Sequence, residues 1–214
     1  MCGCYELKAK ATTLNKRFPL LHLSQADIPR PFERYPSDRV LMIASGASGY
    51  QRSMARWGLV GSFLDHEPRH PLITLPGEGL SSRPFYSKIL KRHRCVIPAT
   101  AFHAWQRLAD GQQKMRISEP SGGLLMFAGI YDHHPLAGTT CAILTTGANA
   151  AVGAMSEPTP ILLDHEACSC WLGEHAVFPD TEFDAILNAP ARHLLTMTAV
   201  IEEAPSPQLS LAFA

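Results

Sequence analysis

The second residue of the chain, Cys2, carries the groups best suited to covalent chemistry. It is followed by Gly3, and a small residue such as cysteine at the second position normally permits removal of the initiator Met1. The new terminus would be a 1,2-aminothiol, in which an α-amine with a pKa of about 7.7 to 8.0 lies beside a thiol with a pKa of about 8.5. Both nucleophiles are then partly available near neutral pH.

A terminal aminothiol supports two reactions. With an aldehyde, the amine condenses to a Schiff base and the thiol closes a five-membered thiazolidine ring. With a carboxamide, the thiol attacks the carbonyl carbon while the amine acts as base. A third interpretation is that Cys2 is an ordinary terminal residue, and the opening letters MCG alone leave all three open.

The remaining cysteines predict neither a disulfide framework nor a metal site. Six cysteines in 214 residues are too sparse for a disulfide-stapled fold, so we expect thiols. Cys2 with Cys4 and Cys168 with Cys170 form two C-x-C pairs, which in principle supply four thiolates for zinc, but structural zinc sites usually have wider C-x2-4-C spacing. Phosphate-loop, zinc-protease and G-x-S-x-G motifs are absent from the sequence, and we expect no metal and no cofactor.

The composition predicts one soluble domain over residues 1–214. The chain is 46% hydrophobic and 18% charged, and no stretch approaches the ~20 apolar residues that a membrane span needs. The opening MCGCYELKAK has lysines where a secretory signal has its apolar run, so we expect no membrane association and a cytoplasmic location.

Charge is divided unevenly along the chain although its net value is zero. Residues 1–116 hold 18 Lys and Arg against 8 Asp and Glu, whereas residues 117–214 hold 1 against 11. A basic half is compatible with a surface for a polyanion, because phosphate contacts need clustered cations while the whole protein can stay neutral. The alternative is that the two halves of one domain neutralise each other.

Short apolar segments bounded by Gly, Pro and Ser predict more strands than helices. We expect strands at residues 40–44, 55–60, 94–98, 114–118, 124–131 and 141–146, and helices at 84–92, 164–172 and 181–187. This balance favours an α+β fold with antiparallel sheet over a doubly wound one.

Five sequence blocks occur in an order that is similar to the SRAP family, the abasic-site-processing or SOS response-associated peptidases. The opening MCGCYEL is followed by ARWGLV at 55–60, RCVIPATAFHAW at 94–105, FAGIYD at 127–132 and AILTTGAN at 142–149. The resemblance covers about residues 2–172, and the blocks are specific together though weak singly. It implies a single SRAP-like domain built on an antiparallel, barrel-like sheet with a few peripheral helices.

The resemblance also implies a function. A member of this family binds single-stranded DNA in a basic groove, releases its own initiator methionine and captures the aldehyde of an abasic site on its terminal cysteine as a thiazolidine crosslink. We expect a monomer whose partner is single-stranded or abasic DNA. The resemblance implies base stacking on Trp57, for which a core position is the alternative, and DNA-backbone contacts from Arg83, Lys88, Lys91, Arg92 and Arg94.

The chain departs from the family pattern at the positions that support the cysteine. Ser81 stands where the family has a catalytic asparagine, Ala104 where it has a glutamate and Ser156 where it has a histidine; the family prefers arginine at Cys4. General acids and bases typically contribute ~10²- to 10⁴-fold, so we expect a weakened reaction.

Two neighbours of the lost groups are possible replacements. They are His103 and Glu157, each one residue from a substituted position. Adjacent side chains of a strand point to opposite faces, which disfavours His103 as a substitute for a carboxylate at position 104.

Two other functions remain as alternatives to the crosslinking protein. One is a non-catalytic SRAP paralogue that binds single-stranded DNA without chemistry. The other is an N-terminal-nucleophile glutamine amidotransferase, whose sequences also open MCG, although none of its further motifs is present.

Overall fold

A computed structural model describes residues 3–46, 49–147, 158–173, 180–187 and 194–201, without the side chains of 180–183. Its strands are β1 (Tyr5–Glu6), β2 (Glu33–Arg34), β3 (Arg39–Gly46), β4 (Gly49–Trp57), β5 (Thr74–Pro76), β6 (Arg94–Ala99), β7 (Ala101–Leu108), β8 (Gly111–Ser118), β9 (Leu125–His134), β10 (Gly138–Thr146), β11 (Thr159–Pro160) and β12 (Thr196–Ala199). Its α-helices are α1 (Ala11–Arg17), α2 (Pro84–Arg92), α3 (His165–Leu172) and α4 (Asp180–Leu187), and short 3₁₀ turns cover Pro19–Leu21 and Gln25–Asp27.

Five strands close into a barrel in the order β4, β3, β6, β9 and β10. Every pairing around the ring is antiparallel except the closing one, where β10 runs parallel to β4 with Cys141 opposite Trp57. Closure leaves these strands without open edges. The predicted α+β fold with an antiparallel, barrel-like sheet is thereby confirmed.

A second, fully antiparallel sheet has the order β12, β8, β7, β1 and β2. Its two-residue strand β1 holds the amino-terminal segment between β7 and β2, because Tyr5 pairs with Phe102 on one side and with Arg34 on the other. The start of the chain is therefore fixed on both edges only three residues after Cys2.

Aromatic side chains join the two sheets into one core. The Tyr5 ring of β1 meets Trp57 and Phe127 of the barrel edge to face, with centroids 5.3 and 5.7 Å apart. Phe102 of β7 meets Phe127 at 6.0 Å. Such edge-to-face contacts add about 0.5 to 1.5 kcal/mol each beyond area burial, so the core also positions β1 against the barrel.

The sequence-derived elements agree with most of the barrel and α2. One predicted strand has other bounds, and the prediction lacks α1, β7 and the short strands β1, β2, β5, β11 and β12. The strand predicted at 55–60 begins earlier and ends at Trp57, since Gly58 has a φ of +135° that only glycine adopts readily. Strand β7 was absent from the prediction because its first four residues are all buried, which hides the period-two alternation. No helix among the described residues is long and apolar enough to cross a membrane.

Candidate functional site

Strand β1 brings the amino-terminal segment to β7, the strand that carries Ala104. The backbone N–H of His103 donates to the carbonyl of Cys4 at 3.0 Å, which extends the pairing one residue beyond β1. Cys2, Ser156 and Glu157 lie outside the described residues, so their predicted roles stay predictions. The described chain includes Cys4, Ser81 and Ala104, and each of them makes its own contacts.

Ala104 has no proton to exchange and is 3% exposed in the hydrophobic core. It pairs with Met115 of β8, while His103 pairs with Arg116, so the two neighbours alternate between faces of the sheet. The methyl group thus occupies a fully packed position. A carboxylate introduced here would need partners that these apolar neighbours do not supply.

His103 contacts a partly buried carboxylate on its own face of the sheet. Its Nε2 lies 2.9 Å from Glu6 Oε1. Arg116 donates two hydrogen bonds to the same carboxylate, from Nε to Oε1 at 2.8 Å and from Nη2 to Oε2 at 2.9 Å. The hydrogen bond from His103, followed by those from Arg116, lowers the pKa of Glu6 to about 2 against the opposing effect of burial.

This Glu6–His103–Arg116 network changes the interpretation of His103. As a replacement for the family glutamate, His103 would have to reach the face occupied by Ala104, but its ring is turned to Glu6 and is 8% exposed. We interpret His103 as an anchor of β1 onto β7. The sequence held no sign of this pairing, because residues 6 and 103 are 97 positions apart.

Ser81 places its hydroxyl against a carboxylate that sequence reasoning missed. The residue is 9% exposed, and its Oγ donates to Asp184 Oδ1 of α4 at 2.7 Å. Asp184 is partly buried and 103 positions away in sequence. At the position for which the resemblance implies an asparagine, the structure has a hydroxyl–carboxylate pair, which can hold or transfer a proton where an amide cannot.

Helix α2 presents the cations that were predicted to contact DNA. Pro84 occupies its first turn, where the missing N–H has no cost, and Lys91 and Arg92 lie in its last turn. Arg83, Lys88, Lys91 and Arg92 are exposed. The helix carries no acidic residue, and three of its exposed side chains are cationic.

Arg94 must be separated from this cationic group. Its side chain is 8% exposed, and its guanidinium donates to the carbonyls of Trp171 at 2.6 Å, Gly173 at 2.9 Å and Leu90. These bonds tie α3 and the end of α2 to β6. The predicted DNA contact from Arg94 is therefore wrong, because a buried guanidinium that serves three backbone acceptors is not available to a phosphate.

Trp57 is likewise a core residue rather than a stacking surface. It is 1% exposed, and its indole N–H donates to the carbonyl of Ile73 at 2.8 Å. The core alternative stated for it is correct. The exposed aromatic near α2 is Phe63, which is 64% exposed and lies 4.3 Å from the Phe85 ring of α2. Its only sequence signal is a large apolar residue in a Gly-Ser-Phe loop.

The cysteine pair on α3 does not converge on a common point. Residues two positions apart in an α-helix point about 200° apart around its axis. Accordingly, Cys168 is buried whereas Cys170 is exposed. Cys4 is buried as well, and burial raises the pKa of its thiol. Among the residues with described side chains, no group of three His, Cys, Asp or Glu side chains is arranged to hold a metal ion.

Comparison with known families gives the context for this site. The family model described as SOS response associated peptidase (SRAP) matches residues 1–206. The chain belongs to the SRAP family. Its curated relatives include the abasic site processing proteins YoqW and YoaM of Bacillus subtilis strain 168. YoqW is 30% identical over 190 residues, 84% of each chain, and YoaM is 28% identical over 188 residues, 84% of this chain and 82% of its own.

Solved structures share the SRAP member's fold at low identity. A protein from Bacteroides thetaiotaomicron superimposes with a TM-score of 0.75 at 15% identity, covering 94% of this chain and 92% of its own. A phage-related protein from Bordetella bronchiseptica gives a TM-score of 0.73 at 20% identity, covering 94% and 95%. Membership of this family displaces the glutamine amidotransferase interpretation, which had only the opening MCG in its favour.

Proposed function

We propose that this SRAP protein processes abasic sites in single-stranded DNA by forming a thiazolidine crosslink through Cys2 after release of Met1. The observation that supports it most directly is the match over residues 1–206 to the SRAP family, with curated relatives that are named abasic site processing proteins. The anchoring of β1 adds support, since it holds the chain rigidly two residues after Cys2.

The proposed reaction has two bond-forming steps. The α-amine of Cys2 attacks the ring-opened aldehyde of the sugar, and loss of water leaves an imine. The Cys2 sulfur then adds to the imine carbon, the new C–S bond closes the ring, and the thiol proton passes to the ring nitrogen. Water is the sole by-product, and neither a redox partner nor a metal ion is required.

Proton transfer in these steps needs a group other than Ala104. The Ser81–Asp184 pair is our candidate, because a carboxylate with a short hydrogen bond to a buried hydroxyl can accept and return a proton. Glu157 stays a possible second group. With His103 bound to Glu6, the described site supplies fewer acid–base groups than the family pattern, which is consistent with a slower reaction.

Helix α2 is the proposed contact surface for the DNA backbone. Its exposed cations, Lys88, Lys91 and Arg92, follow Arg83 on one continuous segment without a counter-charge in the helix. Such contacts bind phosphates without reading sequence, and their strength falls as salt rises. Phe85 lies in the first turn of the same helix, and the Phe63 ring packs against it, so the two rings offer an aromatic surface beside the cations.

Crosslinking tests the proposal directly. Met1-processed protein is incubated with a single-stranded oligonucleotide that contains one abasic site, and intact-mass spectrometry measures the adduct. We expect an adduct that survives denaturation, with a mass increase equal to the oligonucleotide minus one water. Cys2→Ala can form only the hydrolysable imine of the same mass and should leave no stable adduct, whereas Cys170→Ala should leave the adduct unchanged, because Cys170 is an exposed thiol elsewhere on the molecule. A Cys-Gly dipeptide serves as the reference for the unassisted aminothiol.

Replacement of the family glutamate by Ala104 favours one alternative, a non-catalytic binding protein. That protein would bind single-stranded DNA in a salt-sensitive manner, form no adduct on long incubation and be indifferent to Cys2→Ala. Adduct formation no faster than that of the dipeptide would therefore refute the proposed crosslinking activity while leaving DNA binding intact.

A further inference from the structure

Three aromatic rings form a compact cluster beyond the carboxyl end of α2, next to the cations assigned above. His93 is the residue that ends the helix, and Tyr131 and His133 lie on the neighbouring strand β9. The His93 and Tyr131 rings are stacked, with centroids 5.0 Å apart and planes at 25°. His133 stands edge-on to both, at 5.8 and 5.4 Å.

The buried carboxylate of Asp132 contacts two members of the cluster. Asp132 is 3% exposed; its Oδ1 accepts from the His133 backbone N–H at 2.9 Å and lies 3.5 Å from His93 Nδ1. Its Oδ2 accepts from the Ser62 backbone N–H at 2.7 Å. The loop that carries Phe63 is thus tied to the same carboxylate, so both aromatic surfaces have fixed positions relative to each other.

Hydrogen bonds also fix the individual rings. The backbone N–H of Tyr131 donates to the His93 carbonyl at 2.9 Å, and His133 Nδ1 lies 3.0 Å from Thr139 Oγ1. A surface whose side chains are already ordered loses little conformational entropy when a ligand stacks on it. The outer ring, His133, is exposed, and His93 keeps 34% of its side chain exposed.

The charge around the cluster selects the ligand. Arg92 precedes His93, and Lys88 lies one helical turn before Arg92; both are exposed. Flat rings with adjacent cations match a single nucleotide, whose base stacks while its phosphate meets a positive side chain. A protein partner would be expected to cover a larger apolar surface than three partly polar rings.

We propose that His93, Tyr131 and His133 form a stacking platform for one unpaired base of the bound single strand. The inference rests on the proposed function and deepens it, because it assigns a second contact to the same strand at the far end of α2. The nine residues of this helix span about 13 Å at 1.5 Å per residue, so the platform receives a nucleotide outside the lesion itself.

The test combines affinity with a base-specific signal. Single strands with one abasic site carry 2-aminopurine, a fluorescent base, at successive positions. Binding is measured with Cys2→Ser protein, which lacks the thiol that closes the thiazolidine and can form only the reversible imine. In this Cys2→Ser background we expect one 2-aminopurine position to be quenched on binding. His133→Ala and Tyr131→Leu should abolish that quenching and weaken affinity at least about fivefold, the lower end of what one stacked base contributes.

Matched variants separate stacking from folding. Tyr131→Phe keeps the ring, and His165→Ala removes an exposed histidine from α3; both should behave as the unmodified protein. If Tyr131→Leu lowers the unfolding temperature, the result for His133→Ala is used to judge the platform, because the His133 side chain is exposed. With Cys2 intact, both platform variants should keep the maximal crosslinking rate at saturating DNA and raise only the DNA concentration required.

The outcomes distinguish this inference from the proposed function. Unchanged affinity and unchanged quenching in both platform variants would overturn the platform while leaving abasic-site processing untouched. Absence of any binding of single strands by the unmodified protein would overturn both.

Discussion

Glu6 is the residue whose replacement tests the described structure most sharply. Its carboxylate lies 2.9 Å from His103 and accepts two bonds from Arg116, at 2.8 and 2.9 Å, and these contacts fix β1 to β7 and β8. Glu6→Gln keeps the shape and one acceptor oxygen but removes the charge. The substitution therefore leaves His103 and Arg116 without the carboxylate charge that they contact.

The magnitude follows from the pKa of Glu6. A fall from an ordinary value of 4.5 to about 2 corresponds to roughly 3 kcal/mol in favour of the charged carboxylate in the folded state. The Glu6 side chain is only 14% exposed, but that of Arg116 is 37% exposed, so solvent screening reduces the figure. We expect Glu6→Gln to lower the free energy of unfolding by about 2 kcal/mol at pH 7.

The direction of the pKa shift determines how the stabilisation by Glu6 changes with pH. Because the folded-state pKa lies below the ordinary value, the stabilisation is complete above about pH 4.5 and is lost as pH falls toward 2. Urea unfolding of both proteins at pH 7, 5 and 3 should therefore show a difference that shrinks with acidity. Glu33→Gln is the control, since Glu33 lies opposite Glu6 on β2 but is exposed. A difference of the same size at pH 7 and pH 3, or none at pH 7, would refute the reasoning.

Five further substitutions separate structural from functional residues. Arg94→Ala should lower the unfolding free energy by about 3 kcal/mol because it leaves three carbonyls without their donor, whereas Arg92→Ala should change stability by less than about 0.5 kcal/mol and weaken DNA binding, as measured by denaturation and anisotropy. Trp57→Phe should lower the unfolding free energy by about 1 to 3 kcal/mol, through the lost hydrogen bond to the Ile73 carbonyl and a cavity, without changing DNA affinity. Phe63→Ala should weaken DNA binding and leave stability nearly unchanged. Asp184→Asn should slow adduct formation at least about tenfold with single-strand affinity unchanged; an unaltered rate would remove the Ser81–Asp184 pair from the mechanism.

Local sequence was sufficient for the elements whose signals are local. Helix α2 has the predicted bounds, Pro84–Arg92, because proline marks its first turn and apolar residues recur at helical spacing. Barrel strands such as β3 and β6 were found because continuous apolar runs indicate burial on both faces. Strands β1 and β2 are two residues each and owe their existence to partners far along the chain, so no local pattern announces them.

Site residues were harder because their roles depend on burial, which residue type alone does not report. Arg92 and Arg94 are two positions apart in a basic segment, yet one is exposed and the other serves three carbonyls in the interior. The Ser81–Asp184 and Glu6–His103 pairs each join residues about a hundred positions apart. The second sheet brings Glu6 to His103, whereas the contact between α4 and the loop before α2 brings Asp184 to Ser81.

The substitution at Ala104 and the anchoring of β1 act on different parts of the rate. Loss of a general acid or base costs ~10²- to 10⁴-fold, whereas holding two reactants in a productive geometry is worth effective molarities of about 10⁵ M or more in favourable cases. In the proposed reaction, pairing of β1 on both edges and the Glu6–His103–Arg116 network would preserve the second contribution, while the first would be reduced. A cysteine held next to bound DNA should therefore outpace a free aminothiol even without the family glutamate, and weakening the anchor should be more damaging to crosslinking than the natural loss at position 104.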